Sequence, residues 1–195
     1  MENLVKKVDD IIIGGGMANT FLLASGKQIG ISLCEPTLIH IAQNIIEKAE
    51  ILGCKIHLPN DVVTSKTLDG LNKIRSSDVN SCPPDEMIFD CGEKSVEKYL
   101  NVINLSKTIV WNGPLGVFEK KPFHLGTERL AKFIAKKTID GFLNSVAGGG
   151  DTVAALNKYQ LSHKMSYVST AGGAFLEWLE GKKLPGLKVL EKKLT

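Results

Sequence analysis

Ile11-Ile12-Ile13-Gly14-Gly15-Gly16-Met17-Ala18 reads as a strand that runs through glycine straight into a helix. Three consecutive isoleucines predict a strand over 10–13. Residues 17–24 predict a helix. A strand that turns directly into a helix is the first half of a βαβ unit. The same alternation continues along the chain. Strands are predicted over 55–58, 87–89, 108–111, 142–146 and 165–169. Helices are predicted over 37–52, 95–105, 124–137, 152–159 and 174–180. In the 37–52 segment the apolar residues Leu38, Ile41, Ala42, Ile45, Ile46 and Ala49 recur at helical spacing, between Pro36-Thr37 at the start and Gly53 at the stop. The segment 61–85, strand-like at Val62-Val63-Thr64 and polar beyond, reads as an excursion of short strands and turns. Such alternation predicts the α/β class: a doubly wound, mostly parallel six-stranded sheet with helices on both faces, a Rossmann-like three-layer domain.

Length and composition agree with a single domain over residues 1–195. The chain has 195 residues, of which 43% are hydrophobic, enough for its own core. The net charge is +3, and the lysines come as scattered pairs such as Lys120-Lys121 and Lys136-Lys137. That pattern is a solvated surface rather than the dense basic stripe of a nucleic-acid binder. Cys34, Cys54, Cys82 and Cys91 form no C-x-x-C pair and have no histidine at zinc-finger spacing. They read as reduced thiols of a cytoplasmic protein. No apolar run reaches membrane-spanning length, and Met1 to Asp10 is polar and charged, so no signal peptide and no membrane partner are expected.

Four predicted strands end in unusual sequence: Gly14-Gly15-Gly16, Asn112-Gly113-Pro114-Leu115-Gly116, Gly148-Gly149-Gly150-Asp151-Thr152, and Thr170-Ala171-Gly172-Gly173. In a parallel sheet the strand C-termini share one edge, and ligands of open α/β sheets bind there. Three of the four segments also open a predicted helix, whose free N–H groups favour anions. One Gly-Gly pair alone is only a tight turn, whereas four on one edge describe an anion- or nucleotide-binding rim. Asp151-Thr152 fits two roles equally: a helix N-cap, or a carboxylate that holds Mg²⁺ beside phosphates.

The sequence has no G-x-x-x-x-G-K-[ST], which excludes a P-loop. A dinucleotide fingerprint competes: Gly14-x-Gly16 follows a strand, and Glu35 lies near the place of an acidic ribose ligand. Asn19, however, occupies the third glycine position, and the other three glycine segments are left unused. Trp111 and Trp178 read as packing residues. The four histidines suggest no triad.

Several strings resemble phosphoglycerate kinase. They are Ile12 to Ala18, Ile109 to Glu119, Gly148 to Thr152, Val168-Ser169-Thr170, and the closing Leu179 to Gly186. Their order and spacing extend the resemblance from about Leu4 to Leu190. It implies a glycolytic kinase, a transferase that moves a phosphoryl group between 1,3-bisphosphoglycerate and ADP with Mg²⁺. Residue by residue, it places Gly14 and Gly15 at the adenine and Phe89 in the same apolar slot. Pro114 and Val117 line the nucleoside pocket, and Asn112 approaches the phosphates. Glu119 accepts hydrogen bonds from the ribose hydroxyls. Gly148, Gly149 and Gly150 form the phosphate turn, with Asp151 for Mg²⁺ and Thr152 for phosphate. Gly149, Gly150, Gly172 and Gly173 supply N–H groups to the transferring phosphoryl. Ala171 departs from the glycine usual there, and its methyl would crowd that sub-site.

The family carries a phosphoglycerate-binding domain on the N-terminal side, and a Gly-Gly-Ala-Lys string upstream of the point that matches Met1. Neither is in these 195 residues. The resemblance therefore implies the C-terminal, nucleotide-binding half alone, a fragment expected to be inactive by itself and able to use the N-terminal domain in trans. The alternatives are a non-catalytic nucleotide-binding or interaction domain and, more remotely, a dinucleotide oxidoreductase.

Overall fold

The computed structural model describes residues 1–69, 73–169, 171, 174, 177, 181 and 182. The elements run β1 (Asp10–Ile12), α1 (Gly15–Ala24), α2 (Ile39–Leu52), β2 (Lys55–His57), β3 (Asp61–Ser65), β4 (Arg75–Asp78), β5 (Met87–Cys91), α3 (Glu93–Leu105), β6 (Thr108–Asn112), α4 (Leu125–Ile139), β7 (Asn144–Gly148), α5 (Gly150–Lys158) and β8 (Tyr167–Val168). Short 3₁₀ turns at Leu4–Lys6, Pro36–Leu38 and Ser162–Lys164 complete them.

The class is α/β with parallel strands, as the alternation predicts. β1 pairs parallel with β2, and β6, β7 and β8 form a second parallel ladder in that order. One expected detail changes. β5 pairs antiparallel with β3, whose other edge takes β4. The 61–85 excursion thus forms a β3–β4 hairpin whose inner strand β3 also takes β5, an antiparallel three-stranded sheet of order β4-β3-β5 rather than part of a continuous six-stranded parallel ladder. A register break between Val63 and Thr64 bends it.

Alternation along β1 shows why both sheet faces need cover. Ile12 packs into a cluster with Trp111, Ala147 and the inner faces of α3 and α4. Ile11 and Ile13 join Phe21, Ala42, Ile45 and Ala49 of α1 and α2. Successive strand side chains point to opposite faces, so helices flank β1 on both sides. On α3 the buried residues are Val96, Tyr99 and Ile103, and on α4 they are Leu130, Ala131, Ile134 and Ala135. Each set forms one stripe at helical spacing, and each large side chain contributes roughly 2 kcal/mol by leaving water. Trp111 is buried, as its place in a strand predicts.

Helix ends are set by long-range partners as much as by local sequence. The first turn of α3 is capped from β3: Asp61 accepts N–H bonds from Ser95 at 2.7 Å and Lys94 at 3.2 Å through its carboxylate. Its carbonyl takes the Gly92 N–H at 2.9 Å. Ser95 returns the contact, its hydroxyl oxygen accepting the N–H groups of Asn60 and Asp61. The predicted strand over 142–146 starts two residues later, at Asn144. The reason is that Gly141 and Phe142 close α4, donating to Thr138 and Lys137 carbonyls.

Candidate functional site

The first two glycine segments meet backbone to backbone. The Gly15 N–H donates to the Leu115 carbonyl at 2.9 Å. A Cβ on Gly14 would run into the Leu115 side chain, and Gly15 has φ +61°. Only glycine fits both demands without strain. The second and third segments meet as closely. The Gly113 N–H donates to the Thr152 hydroxyl at 2.6 Å, and Gly149, with φ +90°, lies so close to the Asn112 amide oxygen that a Cβ there would overlap it. At the fourth strand the Ser169 N–H donates to the Ala147 carbonyl at 2.7 Å. So the ends of β1, β6, β7 and β8 follow one another along one edge. Thr170, Gly172, Gly173, Trp178 and the greater part of the closing string lie outside the described residues. Ala171 is exposed, and its N–H reaches the Ser169 hydroxyl at 3.3 Å.

Burial sorts the predicted site residues. Asn112, Glu119, Gly150 and Asp151 are exposed; Gly14, Gly15, Phe89, Pro114, Val117 and Gly149 are half-buried; Gly148 and Thr152 are buried. Gly149 is the N-cap of α5, with no side-chain cap bond, and the helix begins at Gly150. Asp151 is therefore not the N-cap but sits in the first helical turn, its carboxylate beside the free N–H end of the helix. The Thr152 hydroxyl is used as an acceptor by Gly113, so this side chain ties two turns together. Phe89 reaches the site through its backbone: its carbonyl accepts the Val117 N–H at 2.8 Å, while its ring packs on Phe123 with centroids 4.8 Å apart.

The loop from Gly113 to Glu119 follows α5 along its length. At its start it hangs on Thr152; at its end Lys158 Nζ donates to the carbonyls of Phe118 at 2.8 Å and Glu119 at 3.2 Å. Leu115 N–H donates to Thr127 at 3.1 Å, which fixes the loop on α4. Glu119 and Asp151 are thus held against the same helix. A cleft of about 360 Å³ lies elsewhere, between the end of α1, β4 and α3, with Lys27 and Lys98 on its walls.

One carboxylate under this loop was not singled out in the sequence. Asp90 is 2% exposed and accepts N–H bonds from Gly126 at 2.8 Å and Cys91 at 2.9 Å. It fills the space that a Cβ on Gly116 or Gly126 would need. Burial pushes its carboxyl up to about 7, although both N–H bonds pull the other way. The unfolded value is about 3.9. Below that value the proton is bound in both states. Between the two values the folded state keeps a proton that the unfolded chain releases, so stability falls as pH rises and the loss is complete above about pH 7. The shift corresponds to on the order of 4 kcal/mol. Urea unfolding from pH 4 to 8 should therefore show wild type losing stability relative to Asp90→Asn as pH rises. A constant difference between the two would contradict the assignment.

A metal cage is absent: no group of three His, Cys, Asp or Glu side chains gathers among the described residues. A single exposed carboxylate next to a phosphate-type helix terminus suits Mg²⁺ carried in on a nucleotide, since that ion takes one or two carboxylates and otherwise phosphates and water. All four cysteines are free, and no described helix is long and apolar enough to cross a membrane.

Fold and edge together define an α/β domain whose parallel strands end on glycine turns along one edge, the class that binds ligands at such edges. The chain belongs to the phosphoglycerate kinase family, whose model matches residues 1–182. It is 56% identical over 191 residues to the phosphoglycerate kinase of Zymomonas mobilis, covering 98% of this chain and 48% of that protein. The phosphoglycerate kinase of Chelativorans sp. is 52% identical over 192 residues, covering 98% and 48%. The structure of phosphoglycerate kinase from Coxiella burnetii superposes with a TM-score of 0.94 at 47% identity, over 100% of this chain and 49% of that one. That from Pyrococcus horikoshii gives 0.80 at 30% identity, over 97% and 47%. The chain thus spans about half the length of the relatives it matches.

Proposed function

We propose that this chain is the Mg-nucleotide-binding, C-terminal half of a phosphoglycerate kinase. The observation that carries the reading is the continuous edge of glycine turns from Gly14 to Ser169, with exposed Glu119 and Asp151 held against α5 beside it. Gly14, Gly15, Pro114 and Val117 enclose the adenine side, with Phe89 behind Val117. Glu119 takes the ribose hydroxyls. Asn112, Gly148, Gly149 and Gly150 form the phosphate turn, where free N–H groups at the start of α5 face anionic oxygens. Thr152 keeps that turn on the Gly113 backbone. Gly172 and Gly173 are proposed as further N–H donors.

Asp151 would hold the Mg²⁺ of the nucleotide, and the ion would neutralise charge between neighbouring phosphates. The chain's own part is to bind and orient: fixed N–H dipoles meet charge where it develops, and the clasped loop keeps base, sugar and phosphates in register. The reaction assigned to the whole enzyme is transfer between 1,3-bisphosphoglycerate and ADP, in the cytoplasm, with the phosphoglycerate held by a second domain that could dock in trans.

Titration of the purified chain with ADP in the presence and absence of Mg²⁺, beside NAD, tests this. MgADP should bind at millimolar to high-micromolar level. Asp151→Ala should weaken MgADP about tenfold, the loss of one charge-assisted contact, and leave Mg-free ADP nearly unchanged. Equal binding of NAD and ADP, or an Asp151→Ala effect that persists without Mg²⁺, would overturn the reading.

A further inference from the structure

We propose that Lys158 is a positioning residue that presents Glu119 to the sugar of the bound nucleotide, and so sets the preference for ribose over deoxyribose. The inference rests on the nucleotide-binding reading above and goes beyond it, because Lys158 is not among the residues assigned there to the nucleotide and bonds the loop that carries Glu119.

Lys158 lies in the last turn of α5. Its ammonium bonds two consecutive carbonyls, those of Phe118 and Glu119, at 2.8 and 3.2 Å. It also sits 6.0 Å from the centroid of the Phe118 ring, a side chain only 5% exposed. Two donors on the carbonyls either side of one Cα fix both peptide planes, and hence the direction in which the Glu119 side chain leaves the backbone. The ring adds a cation–π attraction that holds the charge over the loop. Lysine suits this work: three donors on one compact charge reach two acceptors at once.

The ammonium binds backbone although a carboxylate belongs to one of the same two residues. Among the described residues no ion pair or hydrogen bond engages the Glu119 carboxylate, which is exposed. Lys158 therefore aims this group without consuming it. At the opposite end of α5, Thr152 holds Gly113. The loop is clasped to one rigid helix at both ends, so the carboxylate that meets the sugar is fixed relative to the helix start that meets the phosphates. A free loop would let Glu119 swing, and the sugar hydroxyls would lose their acceptor while base and phosphate contacts stayed.

The test compares MgADP with its 2′-deoxy and 3′-deoxy analogues on the purified chain, with binding read by calorimetry and folding by thermal melts. For wild type the better discriminated analogue should bind about tenfold more weakly than ADP, as expected when a hydrogen bond to a charged group is lost. In Lys158→Met the ratio should fall to about twofold, and in Lys158→Arg it should return most of the way to wild type. Glu119→Gln should lower it as well. A mere loop staple would weaken all three nucleotides equally. An unchanged ratio in a folded Lys158→Met would therefore overturn the proposal. Should that variant not fold, Lys158→Gln, whose amide reaches one carbonyl, is read the same way: a reduced ratio supports the proposal and an unchanged one overturns it. A wild-type chain that binds none of the three would instead overturn the nucleotide reading, and this inference with it.

Discussion

The 195-residue chain by itself should turn over no 3-phosphoglycerate with MgATP above background. Phosphoryl transfer requires donor and acceptor held in line and the charge on the moving group neutralised. The proposed site can position the nucleotide. It supplies glycine N–H groups, the start of α5 and Asp151. The acceptor would be held by the domain assigned to the other half of the family's length, the share this chain does not span. One missing electrostatic contact to a transition state costs about 3 kcal/mol, or a hundredfold in rate. Loss of several, together with acceptor positioning, multiplies such factors until turnover disappears. A coupled ATP-consumption assay on the purified chain, with Asp151→Ala beside it, measures this. Substantial turnover that Asp151→Ala removes would show that these residues make a complete catalyst. A separately expressed N-terminal half of a relative should restore part of the activity.

Asp61→Ala should be the most destabilising of the conservative truncations considered. The carboxylate is buried and satisfies two N–H groups in the first turn of α3, and it faces the fully buried Ser95. Removal leaves the Ser95 N–H without a partner in a buried place and takes the acceptor from the part-buried Lys94 N–H. Each orphaned donor costs about 1–3 kcal/mol, and the lost cap about 1 more. The expected total is about 3–4 kcal/mol, or roughly 10 °C in the melting temperature of a chain this size. Circular dichroism melts at neutral pH decide it. A shift below about 3 °C would mean that the first turn of α3 finds other partners.

Much of this architecture was legible because it is written locally. Ile11-Ile12-Ile13 before glycine marks β1 and the turn after it, and the apolar stripes of α2, α3 and α4 recur at helical spacing. Strand ends that carry glycine could be placed on one edge from the parallel class alone. What was not legible depends on distant pairing. β5 looked like another strand of the parallel layer, yet its partner is β3, running the other way. Nothing in Met87-Ile88-Phe89 encodes that direction. Phe142 looked like strand but closes α4, because the αL turn at Gly141 captures its N–H for the helix. Asp151 fitted an N-cap by composition, but the positive φ of Gly149 lets the helix begin earlier. Asp61 and Asp90 escaped notice because their partners lie 34 and 36 residues away. The only local signal was an acidic residue within or beside an apolar run. The clasp of Lys158 on Phe118 and Glu119, 40 and 39 residues apart, was hidden for the same reason.

The central claim is that the glycine edge binds a Mg-nucleotide, and the MgADP titration read amide by amide by NMR tests it most directly. The largest shifts should fall on Gly14, Gly15, Asn112 to Glu119 and Gly148 to Thr152. The cleft walled by Lys27 and Lys98 and the far ends of β6 and β7 should stay still. Shifts centred on that cleft, or none at the glycine turns at saturating MgADP, would contradict the account.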